Sequence, residues 1–262
     1  MTLLEVRGLR VGYGSREVIC SLSFRLESGS VMGILGANGC GKTTLLKALC
    51  GILPSQGQRI LCGEELQRMP PRRLAQLCRY IPQKSGIEID ISTLDVVLMG
   101  FNPQLGLLEY PSAAMRQRAA QALAQVGLED RAEVNYQSLS EGQKQMCILA
   151  RTLVSDGRLL FLDEPESALD FGGRYRMLAQ IRDWTRQAER GSIVTLHDPQ
   201  LALNCCDTLL LLKNGQKAGQ IDPHSDTPEQ MERALTAIYG SLSVVPCRNR
   251  AGETQLVLLK EA

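Results

Sequence analysis

Gly36-Ala37-Asn38-Gly39-Cys40-Gly41-Lys42-Thr43-Thr44 is the stretch on which the fold turns. An apolar run at 31–35 precedes it and reads as a buried strand. Leu45-Leu46-Lys47-Ala48-Leu49 follows and reads as a helix. Strand, glycine-rich turn, Lys-Thr and helix, in that order, make a phosphate-binding loop. Glycines admit positive φ, so successive N–H groups can converge on one anion. The helix N-terminus behind them adds its dipole. Lys42 offers a mobile charge to the β- and γ-phosphates, and the Thr43 hydroxyl suits Mg²⁺, a hard cation that prefers oxygen. The loop implies a nucleoside triphosphate but not what its energy drives.

The bulk numbers narrow the field. A chain of 262 residues makes one large domain, or a domain with a substantial insertion. With 29 basic and 28 acidic residues the net charge is +1, which gives no electrostatic footprint for nucleic acid. Aromatics are scarce, so the core should be aliphatic. The nine cysteines are odd in number and form no C-x-x-C, and no secretory segment stands out. A reducing compartment is therefore expected. Cys40 lies in the phosphate loop, as a small side chain or as a redox-sensitive thiol. No apolar run approaches the roughly 18–20 residues of a membrane span, so attachment to a membrane is expected only through a partner.

Taken in order, residues 2–9 alternate apolar and polar as a half-buried strand should. Val11-Gly12-Tyr13-Gly14 reads as a loop bearing an aromatic, and 18–19 and 22–26 as further strand. Pro54-Ser55-Gln56-Gly57 is a turn before a short strand at 59–63, and prolines 70 and 71 open a helix over 72–78. Residues 79–83 are extended and end on Gln83. Helical character then dominates 84–157. Ser92 and Thr93 offer an N-cap, 101–110 is a loop, 113–126 is amphipathic, and Ser140 with Gln143 has capping-box spacing. Strands return at 159–162, 192–196 and 208–212, with a helix expected at 174–188. Asn214-Gly215 predicts a hairpin into 217–221. Thr227-Pro228-Glu229-Gln230 opens a last helix, and two strand-like pieces at 243–246 and 254–259 close the chain.

Three further polar points stand at strand ends. Asp163 and Glu164 follow the apolar strand 159–162, and ligands of open α/β sheets lie at such ends. Asp163 suits Mg²⁺, and Glu164 suits a base for the attacking water, worth about 10²–10⁴-fold in rate. His197, one of only two histidines, also ends a strand, whereas His224 reads as a surface residue. The Gln83 amide is within reach of a metal or γ-phosphate.

In this order the residues resemble the ATP-binding subunit of an ABC transporter, over about residues 2–240. The resemblance makes Tyr13 the adenine-stacking aromatic and 36–44 the phosphate loop, with Gly36, Asn38, Gly39, Cys40, Gly41, Lys42, Thr43 and Thr44 on the nucleotide. It makes Gln83 the Q-loop glutamine and Leu139-Ser140-Glu141-Gly142-Gln143 the signature, with Ser140, Gly142 and Gln143 toward ATP. Asp163 and Glu164 become the Walker B acids, Asp170 closes the D-loop, and His197 is the switch histidine. Catalysis would fall to Glu164, His197 and Gln83, and Mg²⁺ to Thr43, Gln83 and Asp163. The implied fold is α/β: a P-loop NTPase core with an antiparallel β subdomain and a helical, signature-bearing insertion. Its expected parts are 1–83, 84–157, 158–240 and a C-terminal hairpin, 241–262.

Tyr80-Ile81-Pro82-Gln83, residues 93–100 and Thr195-Leu196-His197-Asp198 look most like importers of iron–siderophore, haem or vitamin B12. That implies a peripheral ATPase on the cytoplasmic face of the inner membrane, with ATP and Mg²⁺ as cofactors. Two copies would meet head to tail around two ATP molecules. A separate permease would dock near 85–99, served by an external binding protein. A different cargo, a non-transport ABC protein and a non-hydrolysing regulator are the alternatives. The intact Glu164 and His197 weigh against the last. Three positions depart from the family pattern: Glu141 for glycine, Cys40 for serine and Glu166 for threonine. Glu141 is expected to point away from the phosphates, and nothing in the sequence explains Glu166.

Overall fold

A computed structural model describes residues 1–83, 86–106, 108–187 and 189–261. Strands β1 (Thr2–Tyr13) and β2 (Arg16–Glu27) form a long antiparallel hairpin, from Thr2↔Glu27 to Tyr13↔Arg16. The loop expected at 11–14 is thus strand as far as Tyr13, and the two expected pieces of β2 are one. Bulges account for the difference. The register shifts between Val6 and Leu9 and again before Gly12, and Ser21 takes φ 53°. Next, β3 (Val31–Leu35) is buried throughout and feeds the phosphate loop. Helix α1 (Lys42–Leu49) starts on Gly41 at φ 108°, where a Cβ would lie 2.8 Å from Ile19 Cδ1. β4 (Gln56–Leu61) takes in Gln56 and Gly57, expected in a turn, because Gln56 pairs with Arg10 of β1. The two-residue β5 (Glu64–Glu65) completes an antiparallel sheet of order β2-β1-β4-β5. Arg59 of β4 is buried, and its guanidinium donates to the Ala48 and Leu49 carbonyls, closing the end of α1.

Helix α2 (Pro71–Leu77) leads into β6 (Cys78–Ile81). Helices α3 (Thr93–Leu98), α4 (Ala113–Gln125) and α5 (Glu141–Leu153) follow. Each is capped by a serine hydroxyl: Ser92 accepts from Asp95 N–H, Ser112 from Met115 N–H and Ser140 from Gln143 N–H. The box expected at Ser140 and Gln143 is formed in both directions. The segment expected as loop over 101–110 begins with a 3₁₀ turn at Met99–Phe101. Among the described residues from 86 to 157 there is no strand, and Val97, Phe101, Leu123 and Leu149 share one core.

The chain then alternates: β7 (Leu159–Asp163), α6 (Phe171–Thr185), β8 (Gly191–Thr195), α7 (Pro199–Cys205) and β9 (Thr208–Lys213). α6 begins three residues before the expected start, because the Asp170 carboxylate caps Gly173 N–H. Residue 188, its expected end, lies outside the described residues. α7 was not expected; Asp198 caps it by accepting from Gln200 and Leu201 N–H. β10 (Gln216–Ile221), α8 (Pro228–Tyr239), β11 (Leu242–Arg248) and β12 (Thr254–Lys260) complete the chain.

The main sheet has the order β10-β9-β3-β8-β7-β6, with β10 antiparallel and the rest parallel. Its alternation divides the core in two. Val31, Leu35, Leu160 and Leu162 face the helices α5 to α7. Met32, Ile34, Leu159 and Phe161 face α1 and the antiparallel sheet. Each such side chain contributes about 1.5–3 kcal/mol by burial. The turn Asn214-Gly215 is clasped between two elements: Gly215 N–H donates to Cys40 O at 3.1 Å, and Cys20 N–H donates to Gly215 O at 2.9 Å. A Cβ on Gly215 would lie 1.9 Å from Val18 O, so only glycine fits there. The fold is the expected α/β class, a P-loop core with an antiparallel sheet and a helical segment between β6 and β7.

Candidate active site

Four neighbouring strands, β3, β8, β7 and β6, end on the same edge of the sheet. Their ends present, in that spatial order, the phosphate loop, His197, the pair Asp163-Glu164, and Gln83. This is where open α/β sheets bind ligands. A cleft of about 580 Å³ opens there. It gathers Asn38, Gly39, Gly41, Lys42, Thr43 and Thr44 with Tyr13, Gln83, Glu164 and His197. Two predicted loop residues lie beneath it. The Gly36 carbonyl accepts from Lys42 Nζ at 2.9 Å. The Cys40 side chain is buried, and burial pushes its thiol pKa up, so it is poorly suited to be a reactive thiolate.

Glu164 is the hub of the cleft. Its Oε2 lies 2.6 Å from His197 Nε2 and accepts from Gln83 Nε2 at 2.7 Å. Its Oε1 lies 3.7 Å from Lys42 Nζ. The backbone at Glu164 takes φ 51°, a left-handed conformation that a long side chain adopts only under constraint. Thr195 Oγ1 supplies part of it, accepting Glu164 N–H at 2.9 Å and donating to Asp163 Oδ1 at 3.0 Å. Tyr80 OH donates to Asp163 Oδ2 at 3.3 Å, and burial, with the Asp163 charge, raises the phenol's pKa. Two adjacent acids are thereby separated: Asp163 is fixed below the sheet edge, and Glu164 is turned into the cleft.

Sequence reasoning missed Thr195, Tyr80 and Arg16, which joins the cleft wall across the hairpin from Tyr13. Thr195 and Tyr80 stood only within the importer-like runs 195–198 and 80–83, with no site role given to either. His224 is exposed, with Nε2 3.7 Å from Asp207 Oδ1.

The predicted residues Ser140, Gly142, Gln143 and Asp170 are not in this cleft. They line a second one, about 530 Å³, with Glu141 and Arg176. The Ser140 hydroxyl and the N-terminus of α5 open there. Glu141 pairs with Lys144 at 2.9 Å.

For a metal, Thr43, Asp163 and Gln83 offer a hydroxyl, a carboxylate and an amide carbonyl. Among the described residues no group of three or more His, Cys, Asp or Glu converges. An all-oxygen set with a single carboxylate suits Mg²⁺, which keeps water and phosphate oxygens in its shell. Together the parts can bind a triphosphate, neutralise it and bring a base to its outer end. Among the described residues no helix is long and apolar enough to cross a membrane.

The profile of the ABC transporter family matches residues 19–167. The hemin import ATP-binding protein HmuV of Bordetella pertussis (strain Tohama I) is 37% identical over 248 residues, 90% of this chain and 92% of that protein. A Helicobacter pylori (strain 26695) protein named for iron chelatin transport is 36% identical, over 90% and 92% of the two chains. Among solved structures, a transporter described as of metal-chelate type, in an inward-facing conformation, superposes with a TM-score of 0.83 at 28% identity. That match covers 100% of this chain and 99% of the other.

Proposed function

The chain belongs to the ABC transporter family, as an ATP-hydrolysing subunit of importer type, and from that membership we propose that it drives uptake of a metal chelate. The cargo class is an iron–siderophore, haem or cobalamin, supported by what the similar proteins are named for. One observation carries the mechanistic reading: phosphate loop, Glu164, His197 and Gln83 share one cleft, while the signature residues of the same chain line another. A complete site then needs the signature of a second copy. In the head-to-tail dimer, Ser140 and the N-terminus of α5 face the γ-phosphate held by the other copy's loop.

The residues divide the work. Lys42 and the loop N–H groups hold the phosphates, and Tyr13 stacks on the base. Thr43, Asp163 and Gln83 would hold Mg²⁺, which screens the phosphate charge when bound. Glu164 accepts the proton of the attacking water, and His197 orients Glu164 and the γ-phosphate. In this reading 1–83 and 158–240 form the ATP-binding core, 84–157 the signature-bearing lever, and 241–262 an appended hairpin. A separate permease docks against the lever near 85–99, on the cytoplasmic face of the inner membrane; Ser85 lies outside the described residues. An external binding protein delivers the chelate.

Turnover of Glu164→Gln tests the site. It should fall at least about 10²-fold while ATP binding persists and an ATP-dependent dimer accumulates on gel filtration. Turnover equal to wild type would remove Glu164 as the base. Co-purification of the permease and binding protein, followed by uptake assays with haem, a ferric siderophore and cobalamin, would decide the cargo.

A further inference from the structure

Glu166 does not line the cleft, yet it is among the most buried acids of the chain, 3% exposed. Its Oε1 accepts the backbone N–H of His197 at 3.4 Å. Its Oε2 is buried with no hydrogen-bond partner. The topology explains why that N–H needs a side chain. Just past β8, Leu196 N–H donates to Ile34 O of β3 at 3.2 Å. The next N–H, that of His197, points to the opposite side, where β7 would continue. But the last pair of that ladder is Asp163↔Thr195, and the chain then turns away at Glu164. No strand carbonyl remains opposite His197, and the Glu166 carboxyl occupies that place. Glu166 O in turn accepts Leu169 N–H at 3.0 Å, which fixes the carboxyl's own backbone. Burial, the largest influence, raises its pKa.

We propose that Glu166 is a positioning residue for His197, a side-chain substitute for the missing strand partner. The His197 ring is 45% exposed, and its Nε2 meets Glu164 Oε2 at 2.6 Å. Where it points is decided by the main chain at the end of β8, and that main chain is tied by Glu166. The bond places Nε2 beside Glu164 Oε2. The proposal rests on the reading of the cleft as the ATPase site.

The chain has only two histidines, so selective ¹⁵N-histidine labelling gives two backbone amide signals. Glu166→Met fills the buried space without an acceptor, and Glu166→Ala vacates it. Both should speed hydrogen exchange at the His197 amide and lower kcat about 10-fold, with KM for ATP within about twofold. Glu166→Gln keeps an oxygen toward the amide and should retain both protection and kcat. The proposal is overturned if Glu166→Met leaves protection and kcat as in wild type, or if Glu166→Gln loses both. His197→Ala separates the two levels. If it turns over ATP like wild type, the role of His197 falls and this proposal with it. If it loses turnover while Glu166→Met keeps turnover and protection, only the role of Glu166 falls.

Discussion

Glu141 sits at the first turn of α5, where a carboxylate would oppose a triphosphate. Lys144, one turn on, pairs with it at 2.9 Å, and the carboxylate is 78% exposed. An exposed pair of this kind is worth at most about 1 kcal/mol. Replacing it should therefore change little on either count. Glu141→Gly is expected to leave ATP turnover within about twofold of wild type and to lower stability by about 1 kcal/mol, the cost of glycine in a helix. A steady-state ATPase assay beside urea denaturation checks both, and a strong rise in turnover would mean that the carboxylate does face the phosphates. Thr195 shows the opposite case at the same scale. One small hydroxyl, given no role in the sequence reading, separates two adjacent acids and so helps decide which of them faces the cleft.

Among the elements, α7 links the catalytic edge to the C-terminal hairpin. It starts two residues after His197, capped by the intervening Asp198. Its far side holds β12: Asn204 Nδ2 donates to Leu256 O, and Leu256 N–H donates to Asn204 Oδ1, both at 2.8 Å. Gln200 Oε1 accepts Leu258 N–H at 3.2 Å, and on the other strand Glu232 of α8 accepts Val244 N–H at 2.7 Å. Asn204→Ala would leave two part-buried backbone groups unpaired and should cost about 1–3 kcal/mol. Faster hydrogen exchange at Leu256 and a lower urea midpoint are the expected readouts; unchanged values for both would show that the hairpin is held by its apolar contacts alone. This helix also marks the limit of what the sequence discloses. β3, β7 and the capped helices were legible because continuous apolar runs and serine caps act locally. The P-loop, the strand-end acids and His197 were legible as a group because each follows an apolar run that becomes one of three neighbouring strands. α7, seven residues long, depends on Asp198 and on a hairpin some fifty residues away. The run of β1 past Gly12 depends on its partner strand in the same way. Glu166 acquires its meaning only once β7 is seen to end a residue too soon for His197.

For the molecule as a whole, the two clefts give a sharp test of shared sites. Lys42→Ala disables the phosphate loop and Ser140→Arg blocks the signature; each alone should reduce turnover to background. In a mixture, half-and-half dimers pair the intact loop of one variant with the intact signature of the other. Mixing the two should therefore restore measurable ATPase, and a mixture as inactive as its components would place each complete site within a single chain. The hub carboxylate has two unlike sides. Its Oε2 already lies at hydrogen-bond distance from both His197 and Gln83. Those two contacts pin Oε2 and leave Oε1, 3.7 Å from Lys42 Nζ, as the oxygen open to a proton. The group is thus anchored on one side like a pivot and open on the other.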